Sequence, residues 1–215
     1  NDAGTGTLST ASNNTGLGWE VFDDLTSGDD NVGIGMEALT TLTTGSGNVA
    51  IGRESMEANT TGSSNTAIGT AALASNTTAS NNVAIGRESL ISNTTGASNV
   101  AIGYQSLDAN TTASNNVAIG TSALSANTTG TNLVAVGASA LEANTTANNN
   151  NALGINALYS NTTGASNTAV GTNALRGNTT ASNNVAFGND AMYANTTGAG
   201  GVAVGANALD ANTTG

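Results

Sequence analysis

Glycine recurs at Gly18, Gly35, Gly52, Gly69, Gly86, Gly103, Gly120, Gly137, Gly154, Gly171, Gly188 and Gly205, a spacing of 17 residues with no insertion or deletion. A fixed period of this size is the mark of a solenoid. Each repeat is one lap of chain that cannot bury its apolar side alone and stacks on its neighbours. The unit is clearest in Asn82-Val83-Ala84-Ile85-Gly86, followed by Arg87 to Ser92 and closed by Asn93-Thr94-Thr95-Gly96.

Two apolar columns run through the repeats, two residues apart. One holds Val32, Val49, Val83, Val100, Val117, Val134, Val185 and Val202, with Thr66, Asn151 and Thr168 as interruptions. The other holds Ile34, Ile51, Ile68, Ile85, Ile102, Ile119, Val136, Leu153, Val170, Phe187 and Val204. A spacing of two puts both on one face of a short strand, and β-branched side chains suit that state. A third column, from Phe22 and Leu39 through Leu90 to Met192 and Leu209, lies five residues further on. The expectation is an all-β parallel solenoid in which the three columns close a narrow core while the intervening Ala and Gly face away. An alternative makes Ser122-Ala123-Leu124-Ser125-Ala126 and its equivalents a short helical turn, since Ala and Leu favour helix.

Asn59, Asn76, Asn93, Asn110, Asn127, Asn144, Asn161, Asn178, Asn195 and Asn212 form a fourth column. A side-chain amide both donates and accepts, so stacked Asn can bond to one another and to the turn backbone. The residue after each Thr-Thr alternates from Gly62 and Ala79 to Ala181 and Gly198, so the underlying unit is a pair of laps. Leu133 stands where an Asn is expected.

Aromatic residues make up 3% and charged residues 8% of the chain, a composition that by itself would suggest a disordered linker. The repeated phase of Val, Ile and Leu argues against disorder. The formal charge is −11, with only three cationic residues, which disfavours nucleic acid and anionic membranes as partners. No apolar run approaches a membrane-spanning length, and Cys, His and Pro are absent. The chain divides into residues 1–12, a polar lead-in that continues from a preceding segment; 13–47, atypical first coils or a cap containing Trp19, Phe22, Asp23, Asp24, Asp29 and Asp30; and 48–215, the regular array. Gly215 falls in mid-pattern, and the expectation is a longer parent chain.

The Ala and Gly positions, among them Ala50, Gly52, Ala84, Gly86, Ala118 and Gly120, are expected to form a flat contact with sister chains, giving a homotrimer about the long axis. The motifs Asn48-Val49-Ala50-Ile51-Gly52, Asn82-Val83-Ala84-Ile85-Gly86 and Asn116-Val117-Ala118-Ile119-Gly120 resemble the head repeats of YadA-like trimeric autotransporter adhesins and similar repeats of bacteriophage tail fibres. That resemblance implies a left-handed parallel β-roll, three chains around one axis, aliphatic residues inside each roll and small residues toward the trimer centre. The family's head repeat is shorter than 17 residues and has no Asn-Thr-Thr corner.

No catalytic constellation is present, and neither an enzyme activity nor a cofactor is expected. The four aspartates near the start do not have EF-hand spacing and read as solvated turn residues rather than Ca²⁺ ligands. Arg53-Glu54 and Arg87-Glu88 read as a solvated charge pattern. The ten Asn-Thr-Thr sequences are formal N-glycosylation sites that a structural corner explains equally well. The expected function is a structural and adhesive segment of an extracellular fibre, on a virion tail or a bacterial surface. Its candidate partner is a cell-surface receptor, protein or glycan, reached by variable residues such as Tyr104, Gln105, Tyr159 and Tyr193. Two alternatives are a self-assembling extracellular filament and an ice-binding solenoid that uses ranks such as Thr77 and Thr94.

Overall fold

The computed structural model describes residues 10–214. The chain falls into two compact units that divide after Thr112. Unit 1 carries β1 (Thr15–Leu17), β2 (Val32–Ile34), β3 (Val49–Ile51), β4 (Thr66–Ile68), β5 (Val83–Ile85) and β6 (Val100–Ile102). Unit 2 carries β7 (Val117–Ile119), β8 (Val134–Val136), β9 (Asn151–Leu153), β10 (Thr168–Val170), β11 (Val185–Phe187) and β12 (Val202–Val204). Within each unit every strand pairs in parallel with the next, and equivalent residues of successive repeats lie opposite one another, as in Val83↔Val100, Ala84↔Ala101 and Ile85↔Ile102. Each unit is thus a parallel β-solenoid with one repeat per coil.

Inter-coil bonding continues beyond the strands. Glu88 N–H reaches the Thr70 carbonyl at 3.0 Å, and Leu90 N–H reaches the Ser106 carbonyl at 3.0 Å. One coil therefore bonds to both neighbours, which satisfies backbone groups that no helix is there to pair. No helix occurs among the described residues, including Ser122 to Ala126, where a helical turn was the alternative. Ser122 and Leu124 have φ of 54° and 55°, and a left-handed residue at every second position is incompatible with a right-handed helix.

The interior differs from the expectation. In β5 the central Ala84 is fully buried, and Val83 and Ile85 on either side are half-buried and face outward. The same inversion holds for Ala50, Ala67, Ala101, Ala118, Ala135, Ala152 and Ala169. Alanine points into the coil, opposite Leu90 and its equivalents, which are also buried except for Leu209 in the last coil. A regular coil therefore encloses one large aliphatic side chain instead of three, with Leu133 adding a second in its own coil. Ala50, Ala84 and Ala118 do not form an outer contact surface, because a strand that turns its middle residue inward must turn its flanking residues outward.

Backbone conformation explains why the large inner apolar residue is Leu, Met or Phe and never Val or Ile. Leu39, Met56, Leu73, Leu90 and Leu107 all have φ between 51° and 55°. A second branch on Cβ adds crowding in that region, so Val or Ile would be costlier there than Leu or Met, which are unbranched at Cβ. Gly86, with φ 127°, has a second constraint. A Cβ there would stand 2.6 Å from the Gly103 carbonyl oxygen of the next coil.

The Gly/Ala alternation also has a structural counterpart. In Gly coils both threonine N–H groups share one carbonyl, Thr60 at 2.9 Å and Thr61 at 3.3 Å from the Thr77 oxygen. In the following Ala coil Thr77 N–H reaches the Thr94 oxygen at 3.1 Å, and among the described residues Thr78 makes no such bond. A Cβ added to Gly62 would lie 2.3 Å from the Ala79 oxygen and 2.4 Å from Asn59 Oδ1. Paired coils thus differ in shape at this corner.

Candidate functional site

The interior of the corner is amide, and it is held by two asparagine columns. The first is the expected one. Asn76 Nδ2 donates to Asn59 Oδ1 at 2.9 Å and to the Ala79 carbonyl at 3.0 Å, and Asn93 Nδ2 donates in turn to Asn76 Oδ1 at 3.2 Å. The second, which sequence reasoning did not separate from the strand motif, is Asn31, Asn48, Asn65 and Asn82 with their unit 2 equivalents. There Oδ1 of one residue accepts from the next coil's backbone N–H, as in Asn82 N–H to Asn65 Oδ1 at 2.9 Å. Both columns converge on one carbonyl per coil: Gly62 O accepts from Asn48 Nδ2 at 2.9 Å and from Asn59 Nδ2 at 3.0 Å. A buried carbonyl with two donors is fully satisfied.

At Leu133 the second column loses its amide. Leu133 N–H still reaches Asn116 Oδ1 at 3.0 Å, and Asn150 Nδ2 keeps its bond to the Gly164 carbonyl at 2.7 Å while also lying 3.4 Å from Asn144 Oδ1 in the first column. In the first coils Leu25 and Leu42 occupy the corner taken by Asn from Asn59 onward, and both are buried.

These columns bear on the glycosylation sites. Asn59, Asn76, Asn93 and Asn161 are fully buried, and each uses its Nδ2, the atom a glycan would need, inside the coil. In the folded corner they are structural. The adjoining threonines divide in two. The first of each pair spends its hydroxyl on the next coil, as in Thr77 Oγ1 to the Thr94 carbonyl at 3.2 Å and Thr94 Oγ1 to the Thr111 carbonyl at 3.0 Å. The second, Thr61, Thr78 or Thr95, is exposed.

The outer strand face is apolar. In unit 1 it presents Val32, Val49, Val83 and Val100 beside Leu17, Ile34, Ile51, Ile68, Ile85 and Ile102, with Thr15 and Thr66 as polar interruptions. In unit 2 Asn151 and Thr168 interrupt it, and Leu153 and Phe187 are exposed on it.

The turn side of each coil carries the variable residues. Arg53 and Arg87 pair with their neighbours Glu54 and Glu88 at 2.8 Å and 3.5 Å, and Arg87 lies over the Tyr104 ring, 4.7 Å from its centroid. Gln105 donates to Glu88 Oε2 at 2.8 Å. Tyr159 and Tyr193, two repeats apart, come onto one stripe with Arg176 between them, 5.3 Å and 5.7 Å from the two ring centroids. Arg176 also donates to the Tyr193 hydroxyl at 3.1 Å. The equal 17-residue steps from Tyr159 to Arg176 to Tyr193 were visible in the sequence as a column.

Carboxylates crowd the turn side of unit 1. Partial burial, then the charges of Glu37 and Glu54, raise the Glu57 carboxyl above its ordinary range, and partial burial, then Asp23 and Glu37, do the same to Glu20. Burial is also the main cause of the raised Asp108 carboxyl, whose Oδ1 is buried without a hydrogen-bond partner; backbone N–H groups partly offset the shift. Asp29 accepts from Ser12 N–H and Oγ at 2.7 Å and 2.9 Å, and Asp30 accepts from Asn13 Nδ2 at 3.0 Å. Among the described residues no group of three or more carboxylates converges as a metal site would. No helix there is long and apolar enough to cross a membrane.

No family model matches the chain, and neither a curated protein nor a solved structure matches it.

Proposed function

We propose that this chain is a structural segment of an extended surface fibre, extracellular on a phage tail or a bacterial surface, in which three copies pack about a common axis. The observation that carries this reading is the outward Val and Ile ladder. A regularly spaced, largely apolar sheet face in each unit is a surface that association removes from water. The contact between copies runs through Val49, Ile51, Val83 and Ile85 and their equivalents, not through the alanines, which are already buried in a single chain. The resemblance of the Asn-Val-Ala-Ile-Gly motif to trimeric adhesin heads and tail-fibre repeats supports the threefold arrangement and a left-handed roll. With the coils of each unit joined by backbone bonds, the segment's work is mechanical: it is a stiff support that displays its turn side.

Sedimentation equilibrium tests the reading. The expected mass is three times the 20.7 kDa of one chain. The pair Ile51→Glu with Ile85→Glu should reduce it to one chain while leaving the β-type circular dichroism unchanged. A single-chain mass for the unmodified protein at every concentration would refute association.

A further inference from the structure

We infer that unit 2 carries a binding groove for an uncharged saccharide on its turn side, with Tyr193 as the stacking surface. The groove measures about 460 Å³ and is lined by Asn173, Asp190, Tyr193, Asn207, Asp210 and Ala211. This lies within the roughly 300–1,000 Å³ of small-ligand sites. All six residues belong to one unit of one chain, so the inference does not rest on association of several copies.

The lining chemistry selects the ligand class. Asp210 accepts hydrogen bonds from hydroxyl groups, Asn207 both donates and accepts, Asn173 and Asp190 close the wall while bonded to each other, and one aromatic ring offers a face to the C–H side of a sugar ring. Asp190 and Asp210 oppose an anion, and no cation lines the groove to offset them. An apolar ligand would strand the amides and carboxylates without water. A bare metal ion is poorly served, because Asp190 already accepts from Asn173 Nδ2 at 2.9 Å through one oxygen and from Asn189 Nδ2 through the other.

The groove is also held in place before any ligand arrives. Arg176, stacked between Tyr159 and Tyr193, fixes the Tyr193 ring from one side and bonds its hydroxyl. A relay of side chains, Asn156 to Asn173 at 3.3 Å and Asn173 to Asp190, fixes the polar wall. Rungs supplied by preceding coils thus remove rotamer freedom that binding would otherwise have to freeze.

The test is ligand-observed saturation-transfer NMR on the whole chain, with glucose, galactose, mannose and N-acetylglucosamine as neutral probes and N-acetylneuraminic acid as an acidic one, all at millimolar concentration. At least one neutral sugar should receive saturation. Its affinity should fall by roughly tenfold or more in Tyr193→Ala and in Asp210→Ala and stay unchanged in Arg53→Ala, an exposed change in unit 1. Both altered positions are exposed, and circular dichroism reports whether the coils persist. The assignment is overturned if no neutral sugar receives saturation, if only the acidic sugar does, or if binding survives both substitutions.

Discussion

Inside the coil, Ala84 and Leu90 share the space with the amides of Asn82 and Asn93, all fully buried, while the more apolar Val83 and Ile85 are left half-buried on the outer face. The difference teaches that cross-section, not hydrophobicity alone, allots residues to the two faces. A coil this short has room for one Leu opposite one Ala. It also has a corner whose carbonyls must be satisfied without water, and asparagine does that where an aliphatic residue cannot. The aliphatic surplus goes outside, where it is useful only to a neighbour.

The sharpest way to break this contrast is at the amide column. Asn76→Ala removes the donor to Asn59 Oδ1 and to the Ala79 carbonyl, and the acceptor for Asn93 Nδ2. Three buried groups lose a partner, and the expected loss is about 3–5 kcal/mol in thermal or denaturant unfolding. Next comes the strand. Ala84→Val overfills the interior and should cost about 1–3 kcal/mol, whereas Val83→Thr, an outward change already present at Thr66, should cost under about 0.5 kcal/mol in a single chain. Equal costs would mean that the two faces are not distinct.

The smallest effect is electrostatic. The Glu57 and Glu20 carboxyls have folded-state pKa values raised above their unfolded values, so the folded chain binds their protons more tightly. Stability from this pair is therefore gained as pH falls through the raised values and lost as pH rises past them. Melting curves between neutral and mildly acid pH should show this upward trend on acidification, and Glu57→Gln should flatten it.

The solenoid was legible because Gly86 and its equivalents never slip phase, and one Asn column was legible because an amide repeating at a fixed position has its own kind as partner. Facing was not. A spacing of two says that Val83 and Ile85 share a face, but it is silent about which face; the fold turns Leu90, whose backbone is left-handed, inward and leaves Val83 and Ile85 on the outside. A clue did exist in the sequence. Val, Ile and Thr never take the Leu90 position, and a column that refuses β-branching reports its own dihedral angle. The turn-side stripe was partly legible: Tyr159 and Tyr193 were candidates, but the Arg176 that fixes them was not joined to them. The groove depends on side chains of different lengths stacked in three dimensions, which period alone does not describe.

The chain has no native cysteine, so single thiols can report on facing directly. The measurement is alkylation and interchain disulfide formation in Val83→Cys, Ala84→Cys and Ile85→Cys under native conditions. The account predicts that the introduced thiol at position 84 neither reacts nor cross-links until the coil is unfolded, while those at 83 and 85 react with the reagent or with a sister chain. A reactive or cross-linking thiol at position 84, with protected thiols at 83 and 85, would contradict it.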